Sequence, residues 1–415
     1  MLLSLENIGL IKKSHIEVSG LTLIVGNNGV GKSTVSRALY ATMRSFYHLP
    51  EKAVELKRRF TQDTLYSAAI SSASKDLFEK YRTTSVLSTR YANQLFSNES
   101  LTPSSNQITE IVHSYASNIG LSQEEIKKLI HQVYEIANIQ ESEVYKLIVD
   151  KQLFRTFSGQ IRNLFHDDVE STITLKIKQN DLSIKLVDNH VDQLINPLIF
   201  TFAPLYISNF ADIVHGHGYA NDNASIGNPN ATVRDYIYNQ EPESDIVLQD
   251  KIKSILDKLT NITQGKLVQD ESKDFWFVSN HNPEVKINPD NLASGLKTFL
   301  VLLDLLKKNI IVENATLILD EPEVHLHPEW QVHLANLLTL LQREFKLHLL
   351  ISTHSPYFLS AIDVFSKRNG IRENTRFYTM NKTESSVDIV DITKDLSVAY
   401  NDLTRPFQII EDMDF

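Results

Sequence analysis

With 415 residues and a hydrophobic fraction of 42%, the chain is long enough for a large core and for more than one domain. Its formal charge of -10 argues against a generally basic nucleic-acid wrapper and leaves room only for a local basic groove. The absence of cysteine excludes a disulfide framework, thiolate catalysis and iron–sulfur ligation, and fits a reducing, cytoplasmic compartment.

The N-terminal "MLLSLENIGLIKK" places Glu6 where a secretion signal would be basic and then apolar, so it does not read as one. No apolar stretch reaches the roughly 20 residues of a membrane helix, and no membrane partner is expected. Residues 2–6, 14–18 and 21–25 are short and rich in Leu, Ile and Val, which predicts strands joined by tight connections. The last of them runs into "GNNGVGKST", residues 26–34, and "VSRALYATMRSFY" then shows helical spacing through Val35, Leu39 and Met43. Strand, glycine loop and helix stand in the order of a phosphate site. Gly26, Gly29 and Gly31 let the N–H groups of Asn27, Asn28, Val30 and their neighbours turn inward around phosphates. Lys32 would reach the β- and γ-phosphates of ATP, the Ser33 hydroxyl would ligate Mg²⁺, and Thr34 completes the pattern.

Residues 50–165 read as mostly helical, with Ser122 and Glu125 forming a capping box. "KRR" at 57–59 reads as a basic, solvated helix face, with contact to a nucleic-acid backbone as its other use. "STITLKIKQNDLSIKLV" alternates on both sides of "QND" and predicts a hairpin at 171–187, either an arm or dimer surface or a structural insert. The Asn- and Gly-rich stretch 216–230 reads as a loop, as does "HGHG" at 215–218. A helix at 244–260 and a strand at 275–278 follow. Helices at 295–310 and 329–345 alternate with apolar strands at 315–320 and 347–353, indicating an α/β core with parallel pairing. No internal repeat is visible, and no heptad run long enough for a coiled-coil arm.

Asp320 and Glu321 end the strand in "LILDEP", where the first carboxylate can hold Mg²⁺ and the second can orient an attacking water. His354, at the end of "LHLLISTHSP", is placed to contact a γ-phosphate or that water. "NLASGLKTFL" puts Ser294 and Gly295 at a helix start, presenting a hydroxyl and free N–H groups to an anion. A chain with its own phosphate loop has no need of a second cradle, so this one is expected to serve the ATP of a neighbouring subunit. His325 and His327 alternate as metal ligands can, but their place just past Glu321 fits a subunit-contact loop better.

In this order, the P-loop, "NLASGLKTF", "LILDEPEVHLHP" and "ISTHSP" resemble the ATP-binding-cassette ATPases of the chromosome-maintenance and recombination-repair branch. The similarity is greatest to the overcoming-lysogenization-defect family and related anti-phage defence ATPases, and it covers roughly 1–45 and 285–365. It implies an α/β P-loop head with a largely helical insertion. The first lobe would span 1–45, the insertion 46–265 with its hairpin near 171–187, and the second lobe 266–415. It further implies a signature pair, Ser294 and Gly295, acting in trans, the carboxylates Asp320 and Glu321, and His354 as the switch histidine. The "VHLHP" segment, residues 324–328, would cross to the opposite subunit.

Two departures stand out. No glutamine in 46–285 is marked as the Mg²⁺-contacting one, and Leu296 and Lys297 follow Ser294–Gly295 where transporters carry a second glycine and a glutamine. Residues 355–415 show no nuclease pattern, so a nuclease partner is expected to be another chain. The expected function is a Mg-dependent ATPase, ATP + H2O to ADP + phosphate, whose head pairing in a homodimer or higher oligomer controls a separate nuclease or toxin. The alternatives are a DNA-repair or DNA-clamping ATPase that binds nucleic acid, a transporter motor, or a non-hydrolysing ATP-gated scaffold.

Overall fold

The computed structural model describes residues 1–71, 78–96, 102–163, 165, 170–214, 229–239, 246–272, 274–383 and 386–413. In chain order these form β1 (Leu2–Ile8), β2 (Ile11–Glu17), β3 (Leu21–Val25), α1 (Lys32–Phe46), α2 (Leu49–Ser71), α3 (Phe78–Leu95), α4 (Ser105–Ile119), α5 (Gln123–Ala137) and α6 (Glu141–Thr156). There follow β4 (Ser171–Ile177), β5 (Asn180–Val187), β6 (His190–Ile195), β7 (Leu205–Ile207), α7 (Pro229–Asn239), α8 (Ile246–Thr263), β8 (Gly265–Gln269), β9 (Phe275–Ser279) and β10 (Lys286–Ile287). The last are α9 (Ser294–Lys307), β11 (Thr316–Asp320), α10 (Pro328–Phe345), β12 (His348–Thr353), α11 (Pro356–Arg368), β13 (Thr375–Lys382), β14 (Val387–Asp391) and α12 (Ser397–Met413).

One unit, 1–45 with 152–198 and 202–415, is built on an 11-stranded sheet in the order β6-β5-β4-β1-β2-β14-β13-β3-β12-β11-β7. From β13 to β7 every neighbouring pair is parallel. Every residue of β3 and β11 is buried, the continuous apolar pattern of parallel strands covered on both faces. On one face Leu21, Leu23, Leu317, Leu319, Leu349 and Ile351 pack with Phe299 of α9, Leu334 of α10 and Phe358 of α11 in one core. Because β3, β12, β11 and β7 run the same way, their C-terminal ends line one edge of the sheet, where an α/β fold gathers its ligand residues. A smaller antiparallel sheet, β10-β9-β8, precedes α9.

The other unit, 46–151 with 199–201, is helical around a core that includes Leu65, Leu95, Val112, Tyr115 and Val133. Ser122 and Glu125 form the expected capping box, and Ser104 with Gln107 forms another at the start of α4. Of the basic face expected at 57–59, Arg58 and Arg59 reach solvent and Lys57 does not. Lys57 is buried and donates to the Ala137 carbonyl at 2.8 Å, closing the C-terminus of α5, and burial lowers its pKa. Arg58 and Arg59 both pair with Glu55.

The hairpin expected at 171–187 forms as β4 and β5, but it belongs to the large sheet, where β4 pairs antiparallel with β1. Its inward residues Ile173, Leu175, Leu182 and Ile184 are fully buried, so the alternation serves the sheet and not a free arm. The helical unit is therefore shorter than the span 46–265 read from sequence. The stretches 215–218 and most of 216–230 lie outside the described residues.

Candidate functional site

The glycine loop follows β3 directly and passes into α1. Gly29 and Gly31 have φ of 77° and 96°, in the region that side chains rarely adopt, and a Cβ added at Gly29 would meet nothing within 4 Å. Gly29 thus faces open space. Lys32 is buried, and its Nζ donates to the Gly26 carbonyl at 2.9 Å and the Asn27 carbonyl at 3.0 Å. The same ammonium lies 3.1 Å from Glu321 Oε1.

Asp320 closes β11 with both carboxylate oxygens engaged: Ser352 Oγ donates to Oδ1, and the Tyr206 hydroxyl donates to Oδ2 at 3.1 Å. Burial, with the Asp320 charge beside it, pushes the Tyr206 pKa well above its ordinary value, so its hydroxyl remains a donor. Glu321 has φ of 50°, a left-handed turn that ends the strand, and its N–H reaches Ser352 at 3.1 Å. His354, just past β12, brings Nδ1 to 3.4 Å from Glu321 Oε1. Three distant stretches of sequence thus meet on the Glu321 carboxylate.

A cavity of about 390 Å³ opens beside these groups, lined among others by Gly29, Ser33, Asp320, Glu321, Ser294 and His325. Its donor set fits Mg·ATP. Ser33 and Asp320 offer hard oxygen ligands of the kind Mg²⁺ takes, and the glycine loop offers the anion cradle.

A family model described as "AAA domain, putative AbiEii toxin, Type IV TA system" matches residues 21–360. The chain belongs to this family. Over 137 residues it is 26% identical to the retron Vc95 probable ATPase of Vibrio cholerae serotype O1 biovar El Tor, a match covering 30% of this chain and 26% of that relative. The match therefore spans about a quarter of the curated relative's length. Among solved structures, it is similar to the SmcHead bound to the C-winged helix domain of ScpA, at 11% identity and a TM-score of 0.43, covering 96% of this chain and 98% of that one. The SMC head domain from Thermotoga maritima matches at 11% identity and a TM-score of 0.38, over 94% of this chain and 97% of that one.

In this AAA-domain chain the stretch at 293–298 starts α9 with Ala293 as the cap and no side-chain capping bond. Ser294 does not cap its own helix; it lines the cavity that also holds Gly29 and Ser33 of the same chain. Gly295 is buried, and a Cβ there would stand 2.9 Å from Leu326 Cδ2 and 3.4 Å from the His325 carbonyl. The absence of a side chain lets α9 pack closely against 325–326, a reason that the sequence did not reveal. His327 caps α10, accepting from the Glu329 N–H at 3.4 Å, while His325 lines the cavity.

Several residues of the site were invisible to motif reading. Tyr206 and Ser352 fix Asp320 from the neighbouring strands. Ser208 and Asn209, at the end of β7 beside β11, line the cavity where no glutamine could be chosen from the sequence. Asn230 holds that loop, accepting from the Ser208 N–H at 3.0 Å. A polar residue directly after the "LYI" strand was the available signal, too short to recognise without its pairing.

Proposed function

We propose that this chain is a Mg-dependent ATP hydrolase whose ATP-driven head pairing controls a partner effector, a nuclease or toxin in anti-phage defence. The observation that carries the hydrolase reading is the placement of Glu321 between Lys32 and His354, 3.1 Å and 3.4 Å from its Oε1, at a cavity lined by the glycine loop. A carboxylate held by an ammonium and an imidazole next to an anion cradle suits attack of water on a phosphoryl group. The effector part is supported by the family's description as a putative AbiEii toxin of a type IV toxin–antitoxin system, and by similarity to a retron's probable ATPase.

Mg·ATP would supply the γ-phosphoryl group and the divalent charge that offsets its oxygens. Lys32 and the N–H groups of 27–34 would meet the phosphate oxygens. Ser33 and Asp320 would hold the cation, with Tyr206 and Ser352 keeping the Asp320 carboxylate oriented. Glu321 would accept a hydrogen bond from the attacking water and orient it. His354 Nδ1, 3.4 Å from Glu321 Oε1, borders the position that this carboxylate takes up.

Phosphate release with Mg·ATP tests this directly. Wild-type protein should turn over ATP, and Glu321→Gln should lose nearly all turnover while still binding nucleotide. Equal rates in the two proteins would move the catalytic role elsewhere. Purification with bound partners from native cells tests the effector half: a nuclease or toxin supports it, and DNA-stimulated turnover with DNA as the sole partner refutes it.

A further inference from the structure

Two carboxylates face the His354 ring, and the reading above uses one of them. The other belongs to Glu323, which is 2% exposed and lies two residues past Glu321. Its Oε1 accepts from the Thr353 hydroxyl and from the His354 N–H, the latter at 3.2 Å, and stands 3.9 Å from His354 Nδ1. Its Oε2 has no hydrogen-bond partner among the described residues. Burying a carboxylate with one oxygen unpaired is costly, and burial raises its pKa.

What that cost maintains is visible in the turn between β12 and α11. The Ser355 N–H donates to Thr353 Oγ1 at 3.0 Å, and Ser355 Oγ donates to Gln331 Oε1 at 2.6 Å while capping α11. Gln331 in turn donates to the Leu326 carbonyl at 3.1 Å. Glu323 and Gln331, from either side of the same loop, therefore grip three consecutive residues, Thr353, His354 and Ser355. The His354 ring has no such grip: its Nδ1 is buried yet makes no hydrogen bond among the described residues. Ring orientation toward Glu321 is left to the backbone, and the backbone is pinned by Glu323.

We infer that Glu323 is a positioning residue, holding the His354 peptide and the Thr353 hydroxyl so that the imidazole faces Glu321. Its effect on turnover rests on the hydrolase reading; its effect on the ring does not. What is required of Glu323 is an acceptor oxygen, so Glu323→Gln can serve and Glu323→Ala cannot.

The test uses full-length protein with labelled histidine side chains, His354 being assigned by the signal lost in His354→Gln. Glu323→Ala should displace the His354 ring signals and lower kcat about tenfold or more with KM for ATP within about threefold, the pattern of a lost orienting contact. Glu323→Gln should restore both to near wild type. Identical His354 signals in wild type and Glu323→Ala overturn the inference, as does a Glu323→Gln protein matching the alanine variant. If Glu323→Ala does not fold, Thr353→Val removes one of the two donors with little change of shape, and unchanged His354 signals there are equally decisive against it. Wild-type protein without turnover refutes the hydrolase reading alone, and the ring comparison still decides the role of Glu323.

Discussion

Lys32 Nζ lies 3.1 Å from Glu321 Oε1, so the ammonium that opens α1 and the carboxylate that follows β11 form an ion pair. Lys32→Ala removes this pairing and the charge facing the phosphates together. Calorimetric titration with Mg·ATP should show a sharp loss of affinity. Unchanged affinity in that variant would refute the location of the site.

Tyr206 bears on Asp320 in a different way. Its hydroxyl donates to Oδ2 from a strand that motif reading does not mark. Tyr206→Phe leaves that oxygen one donor short, and hydrogen bonds to charged groups are worth about 1.5–3 kcal/mol. Urea unfolding should show a loss of that size, with a raised Mg²⁺ requirement for turnover. An unfolding midpoint equal to wild type would show that the bond contributes nothing net.

Much of the site was legible because its elements are local. A short, mostly apolar strand followed by glycines and Lys32, or one that ends in Asp320 with Glu321 next, announces both strand and chemistry. What remained hidden depends on partners far along the chain. β7 has only three residues and becomes recognisable through its pairing with β11, over a hundred positions later. β13 and β14 bridge β2 and β3 from the far end of the chain, and nothing in the spacing of 375–391 names those neighbours. Lys57 and Glu323 look like surface charges because residue type reports polarity, whereas their burial follows from a carbonyl at Ala137 and a hydroxyl at Thr353.

Gly295 gives a packing prediction. A methyl group there would press on Leu326 Cδ2 and approach Trp330 Cε3 at 3.4 Å. Gly295→Ala should cost about 1–3 kcal/mol, the usual penalty for overfilling a packed site, and should alter Trp330 fluorescence. A variant with wild-type stability and emission would show that the 325–326 loop yields freely.

Asp304, buried in the last turn of α9, predicts a pH dependence. Burial pushes its carboxyl from an ordinary 3.8 to about 6, against the pull of Lys308 and Lys307, and its Oδ2 has no hydrogen-bond partner among the described residues. The folded protein therefore binds this proton more tightly than the unfolded chain. The stabilising contribution is complete below the unfolded pKa and is lost as pH rises through about 6. The two pKa values set its size on the order of 3 kcal/mol. Asp304→Asn carries no such proton, so its stability curve from pH 4 to 7 should fall less than that of wild type. Glu323 shifts in the same direction but is present in both proteins, and the difference between the curves isolates Asp304. Parallel curves would place the Asp304 charge in solvent.

Ser294 poses the question of which subunit it serves. It lines a cavity together with Gly29 and Ser33 of its own chain, while its helix leaves the first N–H groups without a side-chain cap. If it completes the ATP site of a neighbour, Ser294→Arg should bind nucleotide through its intact phosphate loop yet fail to hydrolyse it. Mixing it with Lys32→Ala should then restore turnover at one composite site, since one chain brings the loop and the other brings Ser294. If Ser294 acts within its own chain, no subunit in the mixture has both parts, and activity stays at the sum of the separate variants. Mixing under conditions where labelled chains demonstrably exchange separates the two arrangements, and absence of rescue there rules out the contribution in trans.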